Sequence, residues 1–244
     1  MEIEGPGIVV DRAPYGEGDL IVTLLMQDGP RRGLVKGGAS RRSDAIWQAG
    51  NILSARWMAR LSEQLGVFNA ELVHPTAALA MPLPDSLAIL RAACQLSAQA
   101  LPSREPVLDT FNALLRLLAG IDVAGFPLAA FCRWELALLR ELGFGLDFSS
   151  SAGGNDQLAF ISPRTGRAVT LSQAGEWVAK LFPLPAFLLN DDEATLADGV
   201  AALRLTGHFL ARDVFGVRHF PLPPARVALY EQLALRLEEQ KHAG

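Results

Sequence analysis

An α+β, multidomain chain is predicted: a small closed barrel of five strands over residues 1–76, then a mainly α-helical domain over residues 77–244 with a small hairpin lobe inserted at about 145–172. Three observations predict it. Before His74 the apolar residues come in short runs, rich in β-branched side chains and broken by glycine-bearing turns. After Pro75 their spacing lengthens to three and four, the period of a helix with one buried face. Between two of those helical stretches a cluster of turn residues interrupts the pattern.

The strands follow in order. Ile8-Val9-Val10 opens the series, and Tyr15 to Asp19 carries the glycines of a turn before the run Leu20 to Met26. Gln27-Asp28-Gly29-Pro30 is a second turn, since Asp-Gly tolerates the positive φ that tight hairpins require. Gly33 to Lys36, Ile52 to Leu61 and, after a break at Gly66, Val67 to Val73 complete five strands in about 75 residues. Closure is how so small a sheet removes its edges.

The helices come next. Pro84-Asp85-Ser86 opens a helix whose Leu87, Leu90, Ala93, Cys94 and Leu96 share one face, and Phe111, Leu114, Leu115 and Leu118 repeat the pattern up to Gly120. Phe131, Trp134, Leu138 and Leu142 do the same before Gly143, and Ala194 to Arg212 and Arg226 to Lys241 form a later pair. The interruption spans Gly145 to Ser172. It carries Ser149-Ser150-Ser151, Gly153-Gly154 and Ser162-Pro163-Arg164-Thr165-Gly166 around the short runs Leu158 to Ile161 and Arg167 to Leu171, the signature of a hairpin or a plain surface excursion.

Composition narrows the function. Half the residues are hydrophobic and 20% are charged, which fits a globular protein rather than a disordered one. No run approaches eighteen apolar residues, and the first residues include Glu2 and Glu4 rather than a basic stretch, so the expectation is a cytoplasmic protein without membrane contact. Cys94 and Cys132 are isolated, and His74, His208, His219 and His242 lack helical metal-site pairing, so neither a disulfide nor a metal is expected. Gly-x-Ser-x-Gly and Walker patterns are absent, and Gly16 and Gly18 lack the third glycine of a dinucleotide loop. Glu17 and Asp19 read as a solvated turn, and Asp191-Asp192-Glu193 as acids favoured at a helix start. The expectation is a protein that is not an enzyme and uses no cofactor.

One charge feature is strongly lopsided. Between residues 31 and 60, Arg31, Arg32, Lys36, Arg41, Arg42, Arg56 and Arg60 face one acid, Asp44, a local charge of +6. The whole chain is −4, so the remaining residues carry −10. Local potential rather than net charge steers association, and a polyanion such as nucleic acid is the partner such a block favours. Arg31, Arg32 and Lys36 bracket a strand, Arg41-Arg42 are expected in a loop where guanidinium groups can lie along phosphates, and Arg56 and Arg60 are expected on one face of a strand. Trp57 reads as core. Trp47, beside the basic loop, is the better candidate for stacking on a base, with packing as the competing reading.

These residues resemble a known family. Tyr15-Gly-Glu-Gly-Asp-Leu-Ile-Val, Asp28-Gly29, Gly33-Leu-Val-Lys-Gly-Gly and Arg41-Arg-Ser are similar to the N-terminal barrel of the RecO recombination mediators. Phe131-Cys-Arg-Trp-Glu-Leu-Ala-Leu-Leu-Arg-Glu-Leu-Gly-Phe resembles that family's signature helix, and Phe160-Ile-Ser-Pro-Arg-Thr-Gly the stretch after it. The resemblance implies an OB-type barrel followed by a helical domain in a DNA repair protein that binds and anneals single-stranded DNA. It also implies pairing with RecR and contact with single-strand-binding protein so that RecA can replace it. Carried over by position, Lys36, Arg41 and Arg42 would touch DNA. Arg133 would receive the acidic tail of single-strand-binding protein, or else pair structurally with Glu135 or another acid. Many family members hold zinc with four cysteines after the signature helix, whereas this chain has Ser149, Ser150, Ser151 and Ser172 there and no cysteine, so no metal is expected. Two alternatives share the same charges: a module whose basic barrel docks an acidic protein partner, and an RNA-binding barrel protein.

Overall fold

Five strands of the computed structural model pair in the closed order β1-β2-β3-β5-β4: β1 Glu2–Tyr15, β2 Asp19–Met26, β3 Gly29–Val35, β4 Ile52–Met58 and β5 Gly66–His74. The structure describes residues 1–61, 64–149, 157–190 and 192–243. Ser150, Ser151, Gly153, Gly154 and Asp191, singled out above, lie outside them. The chain divides into two compact units, Met1–Val123 and Ala124–Gly244.

In the first unit β1 is long enough to serve two neighbours. Residues Glu2 to Ile8 pair with β4 and Ile8 to Tyr15 with β2, with a register shift between Val9 and Asp11 where the strand changes partner. The ring closes where β3 meets β5 in a short parallel contact, Gly33 opposite Gly66. Both glycines are needed there for space. A Cβ on Gly66 would lie 2.1 Å from the Trp57 indole nitrogen, and one on Gly33 would lie 2.6 Å from the Phe68 ring. Trp57 and Phe68 are buried with Val22, Leu24 and Leu53 in the barrel core.

Between β3 and β4 the chain forms a short helix, α1 (Arg41–Ile46), and after the barrel come α2 (Thr76–Ala80), α3 (Pro84–Ala100) and α4 (Leu108–Ala119). The α3–α4 connection binds back to the β2–β3 turn, with Arg104 N–H donating to Pro30 O at 3.3 Å and Val107 N–H to Gln27 O at 3.2 Å. Cys94, on α3, is buried, and burial pushes its thiol up to about 12. Thiolate chemistry at neutral pH is therefore closed to it.

The second unit holds α5 (Phe126–Glu141), α7 (Leu196–Phe209) and α8 (Pro224–Ala243), with a π-helical turn Leu210–Phe215 continuing α7. The interrupting segment forms β6 (Leu158–Ile161) and β7 (Ala168–Thr170), an antiparallel pair followed by the short helix α6 (Leu171–Ala174). The sheet goes further than a hairpin, because β8 (Phe182–Pro183) pairs with the free side of β6. Its isolated, Pro-containing two residues give no strand period to read. Where cysteines would be sought, Asp147 accepts bonds from the Ser149 N–H and hydroxyl, which lower its carboxyl below the usual range. Among the described residues no group of three or more His, Cys, Asp or Glu could hold a metal, and no helix is long and apolar enough to cross a membrane.

One buried ion pair ties three helices together. Arg226 on α8 donates through Nε and Nη2 to the carboxylate of Glu135 on α5, at 2.5 and 3.0 Å. Thr206 and the Leu203 carbonyl of α7 complete the set. Both charged side chains are almost wholly excluded from solvent. Removing one partner strands the other charge, whereas removing both does not. Arg226→Met should therefore cost about 3–5 kcal/mol in urea unfolding. Adding Glu135→Met should restore most of the loss, and a double variant as unstable as the single one would refute the coupling.

Candidate nucleic-acid interface

Alternation along β3 separates the cations of the basic block. Arg31, Gly33 and Val35 are buried, while Arg32 is exposed. Arg31 is only 5% exposed. Its Nε donates to Asp28 Oδ2 at 3.0 Å, and its guanidinium sits 4.9 Å from the centroid of the Trp57 ring. The expectation that Arg31 grips phosphate is thus overturned: the pleat turns it inward, where its Nε and Nη2 meet Asp28 and its face meets the Trp57 ring, while Nη1 is buried without a hydrogen-bond partner among the described residues.

Arg32 and Lys36 lie on the outer side of β3 and just past its end. Lys36 is followed by Gly37, whose φ of +64° turns the chain. The turn is anchored to the β1–β2 hairpin, with Gly37 N–H donating to Asp19 Oδ1 at 2.8 Å and Ala39 N–H to Gly18 O at 3.0 Å. Arg41 and Arg42 follow at once. They were expected in a loop and instead form the exposed first turn of α1. The helix is made by its tertiary partners rather than by propensity. Arg12 of β1 ion-pairs with Asp44, Gln48 donates to the same carboxylate at 2.7 Å, and buried Asn51 donates to the carbonyls of Ala45 and Ile46 at 2.9 and 3.0 Å. Trp47, at the end of α1, is 3% exposed and packs in the barrel core with its ring centroid 6.1 Å from that of Phe68. It offers no face to a base, so packing prevails over stacking.

Arg12 stands outside the basic block, and the sequence alone did not single it out. Its effect is local: it neutralises Asp44, the acid that broke the block's run of cations. Among the described residues, Arg32, Lys36, Arg41, Arg42 and Arg60 make no ion pair. Arg56 differs. It lies on the outer face of β4, opposite Glu4 in register, and ion-pairs with Glu2 at 2.5 Å. Arg60 lies beyond the end of β4 at Met58, so it does not share a strand face with Arg56 as expected. In the barrel β5 lies between β3 and β4. The structure therefore groups Arg32, Lys36, Arg41 and Arg42 along β3 and α1 and leaves Arg56 in an acid-flanked position of its own.

In the second unit Arg133 does not pair with Glu135, which belongs to Arg226. It donates to three carbonyls instead, those of Phe187, Asn190 and Asp192, at 3.1, 3.0 and 2.8 Å. Arg133 and exposed Arg140, seven residues apart and so on one helical face, border a cavity of about 370 Å³ lined by Leu136, Leu146, Phe148, Leu188 and Leu189. Arg140 was missed in the sequence, where the spacing to Arg133 was the available signal.

A closed five-stranded barrel carrying exposed cations, followed by a helical unit, is an OB-type barrel protein. Residues 1–76 match the family model described as "Recombination protein O N terminal" and residues 84–219 the one described as "Recombination protein O C terminal". The chain is 55% identical over 244 residues to the DNA repair protein RecO of Acidiphilium cryptum, covering 97% of each chain. It is 50% identical over 251 residues to that of Granulibacter bethesdensis, covering all of both, and 47% identical over 242 residues to that of Gluconacetobacter diazotrophicus, covering 96% of this chain and 95% of the relative. The chain belongs to the RecO family.

The division of the β3 cations has a direct test. Arg31→Met should lower the unfolding free energy by about 2 kcal/mol, the weight of a desolvated cation–π contact together with its ion pair. Arg32→Ala, on the outer face, should stay within about 0.5 kcal/mol of the parent. Equal losses for the two variants would overturn the inward assignment.

Proposed function

We propose that this chain is a non-enzymatic mediator of recombinational DNA repair, acting in the cytoplasm without a cofactor, whose barrel over residues 1–76 holds single-stranded DNA and whose remaining domain receives protein partners. One observation carries the reading. Arg32, Lys36, Arg41 and Arg42 are exposed without carboxylate partners among the described residues, on a segment whose acid, Asp44, is neutralised by Arg12. Cations left free in this way release counterions when they meet phosphates, which gives binding that tolerates any sequence and weakens steeply with salt. Arg60 adds to the same field. Arg56 contributes less because Glu2 and Glu4 lie against it.

Annealing follows from the same electrostatics. Two strands neutralised on the barrel repel one another less, which lowers the barrier to pairing without any covalent step. Membership of the RecO family supports the further reading that the protein acts with RecR and helps exchange single-strand-binding protein for RecA. The cavity beside α5 fits the acidic, apolar tail of single-strand-binding protein. Leu136, Leu146 and Phe148 offer apolar surface, and Arg140 with the remaining guanidinium edge of Arg133 offers positive charge.

Reversing Arg41 and Arg42 to Glu should weaken binding of an oligo-dT strand about tenfold or more at moderate salt and reduce the slope of log K against log salt by about 1.4, two contacts at roughly 0.7 each. An unchanged titration would overturn the assignment of the β3–α1 cations. Arg140→Glu should weaken binding of a fluorescent acidic tail peptide about tenfold, since a charge-assisted contact becomes a repulsive one. The same affinity in both proteins, by fluorescence anisotropy, would remove this cavity from the reading.

A further inference from the structure

The unit Met1–Val123 contains five aromatic side chains of Phe, Tyr and Trp type, and four of them, Trp47, Trp57, Phe68 and Phe111, are at most 3% exposed. The fifth, Tyr15, is 52% exposed. It ends β1 at the tip of the β1–β2 hairpin, in register with Asp19. That tip is bound to the turn carrying the free cations: Asp19 accepts the Gly37 N–H, and Gly18 accepts the Ala39 N–H. Tyr15 and the stretch Lys36 to Arg42 thus belong to one hydrogen-bonded corner of the barrel.

We propose that Tyr15 is a stacking platform for an unpaired base of a single strand whose phosphates lie on Lys36, Arg41 and Arg42. This rests on the DNA-binding reading above and deepens it by assigning what distinguishes single strands from duplexes. Phosphate contacts alone do not make that distinction, because both forms present phosphates. A ring face does: in a duplex every base face is covered by its neighbours, whereas an unpaired base gains a partner. A tyrosine suits the position because its hydroxyl tolerates water while the ring remains available.

The charges at the tip favour a base over a phosphate against Tyr15. Glu17 is exposed on the same turn and repels the backbone. Asp19, the acid that opens β2, has one oxygen engaged by Gly37. Sugar-phosphate is therefore drawn towards Lys36 and α1, and the base is left facing the hairpin.

The experiment compares the full chain with Tyr15→Ala, Tyr15→Phe and Arg41→Glu/Arg42→Glu in titrations of labelled oligo-dT and of a duplex of equal length, each at two salt concentrations. Tyr15→Ala is expected to weaken oligo-dT binding about tenfold, in the range of one lost stacked base, with duplex binding and the salt slope unchanged. Tyr15→Phe should bind as the parent does, since the ring is kept. The double arginine variant should instead weaken both forms and flatten the slope. If Tyr15→Ala binds oligo-dT like the parent while the arginine variant fails, stacking is refuted and the basic surface survives. Equal loss of single strand and duplex in Tyr15→Ala also overturns the proposal. A parent chain that binds neither form refutes the DNA-binding reading itself. Tyr15→Trp supplies an independent readout: quenching of the exposed indole by oligo-dT and not by duplex is expected, and no quenching by oligo-dT counts against stacking.

Discussion

The barrel closes over the indole of Trp57. Gly66 lies against its nitrogen side so closely that no Cβ fits, Arg31 covers its ring face, and its N–H donates to the Arg32 carbonyl at 3.0 Å. A buried indole removes roughly 200 Å² from water, worth on the order of 5 kcal/mol as an upper estimate. The larger consequence is register. By donating to the carbonyl of Arg32, Trp57 ties β3 to the core in one register, and the phase of a strand decides which of two adjacent arginines meets solvent.

From that phase the rest of the basic corner follows. With Arg32 outward, β3 delivers Lys36 to a left-handed turn at Gly37, and the turn delivers Arg41 and Arg42 to the start of α1. That helix of six residues is too short to persist by itself. It persists because Arg12 and Gln48 hold its one acid and Asn51 accommodates its last carbonyls. The residues that hold it leave both arginines of its first turn exposed. An excess of exposed positive charge is thus left by neutralising an internal acid rather than by adding cations.

Much of the fold was legible in the chain. Strand runs, the Asp28-Gly29 turn and the three-and-four spacing after Pro75 are local properties, and they located all five strands and the long helices. The first half of β1 was not legible: Glu2, Glu4, Gly5, Pro6 and Gly7 have poor strand propensity and are held extended by pairing with β4. The six residues of α1 were read as loop for a related reason, since their helical state depends on Arg12 and Asn51, far apart in sequence. β8 was hidden because two residues carry no period.

The site divides in the same way. Sequence by itself determined that an excess of positive charge sits between residues 31 and 60 of an otherwise acidic chain, because counting charges requires no geometry. It also placed the apolar faces, since hydrophobic periodicity is written residue by residue. Only the tertiary structure decided which charges are available: Arg31 went to the Trp57 ring, Arg56 to Glu2, Asp44 to Arg12 and Arg133 to three carbonyls. Each of those outcomes turns on a partner brought near by strand register or helix packing, and an ion pair or a ring contact acts over a few ångströms of space, a distance that spacing along the chain does not encode.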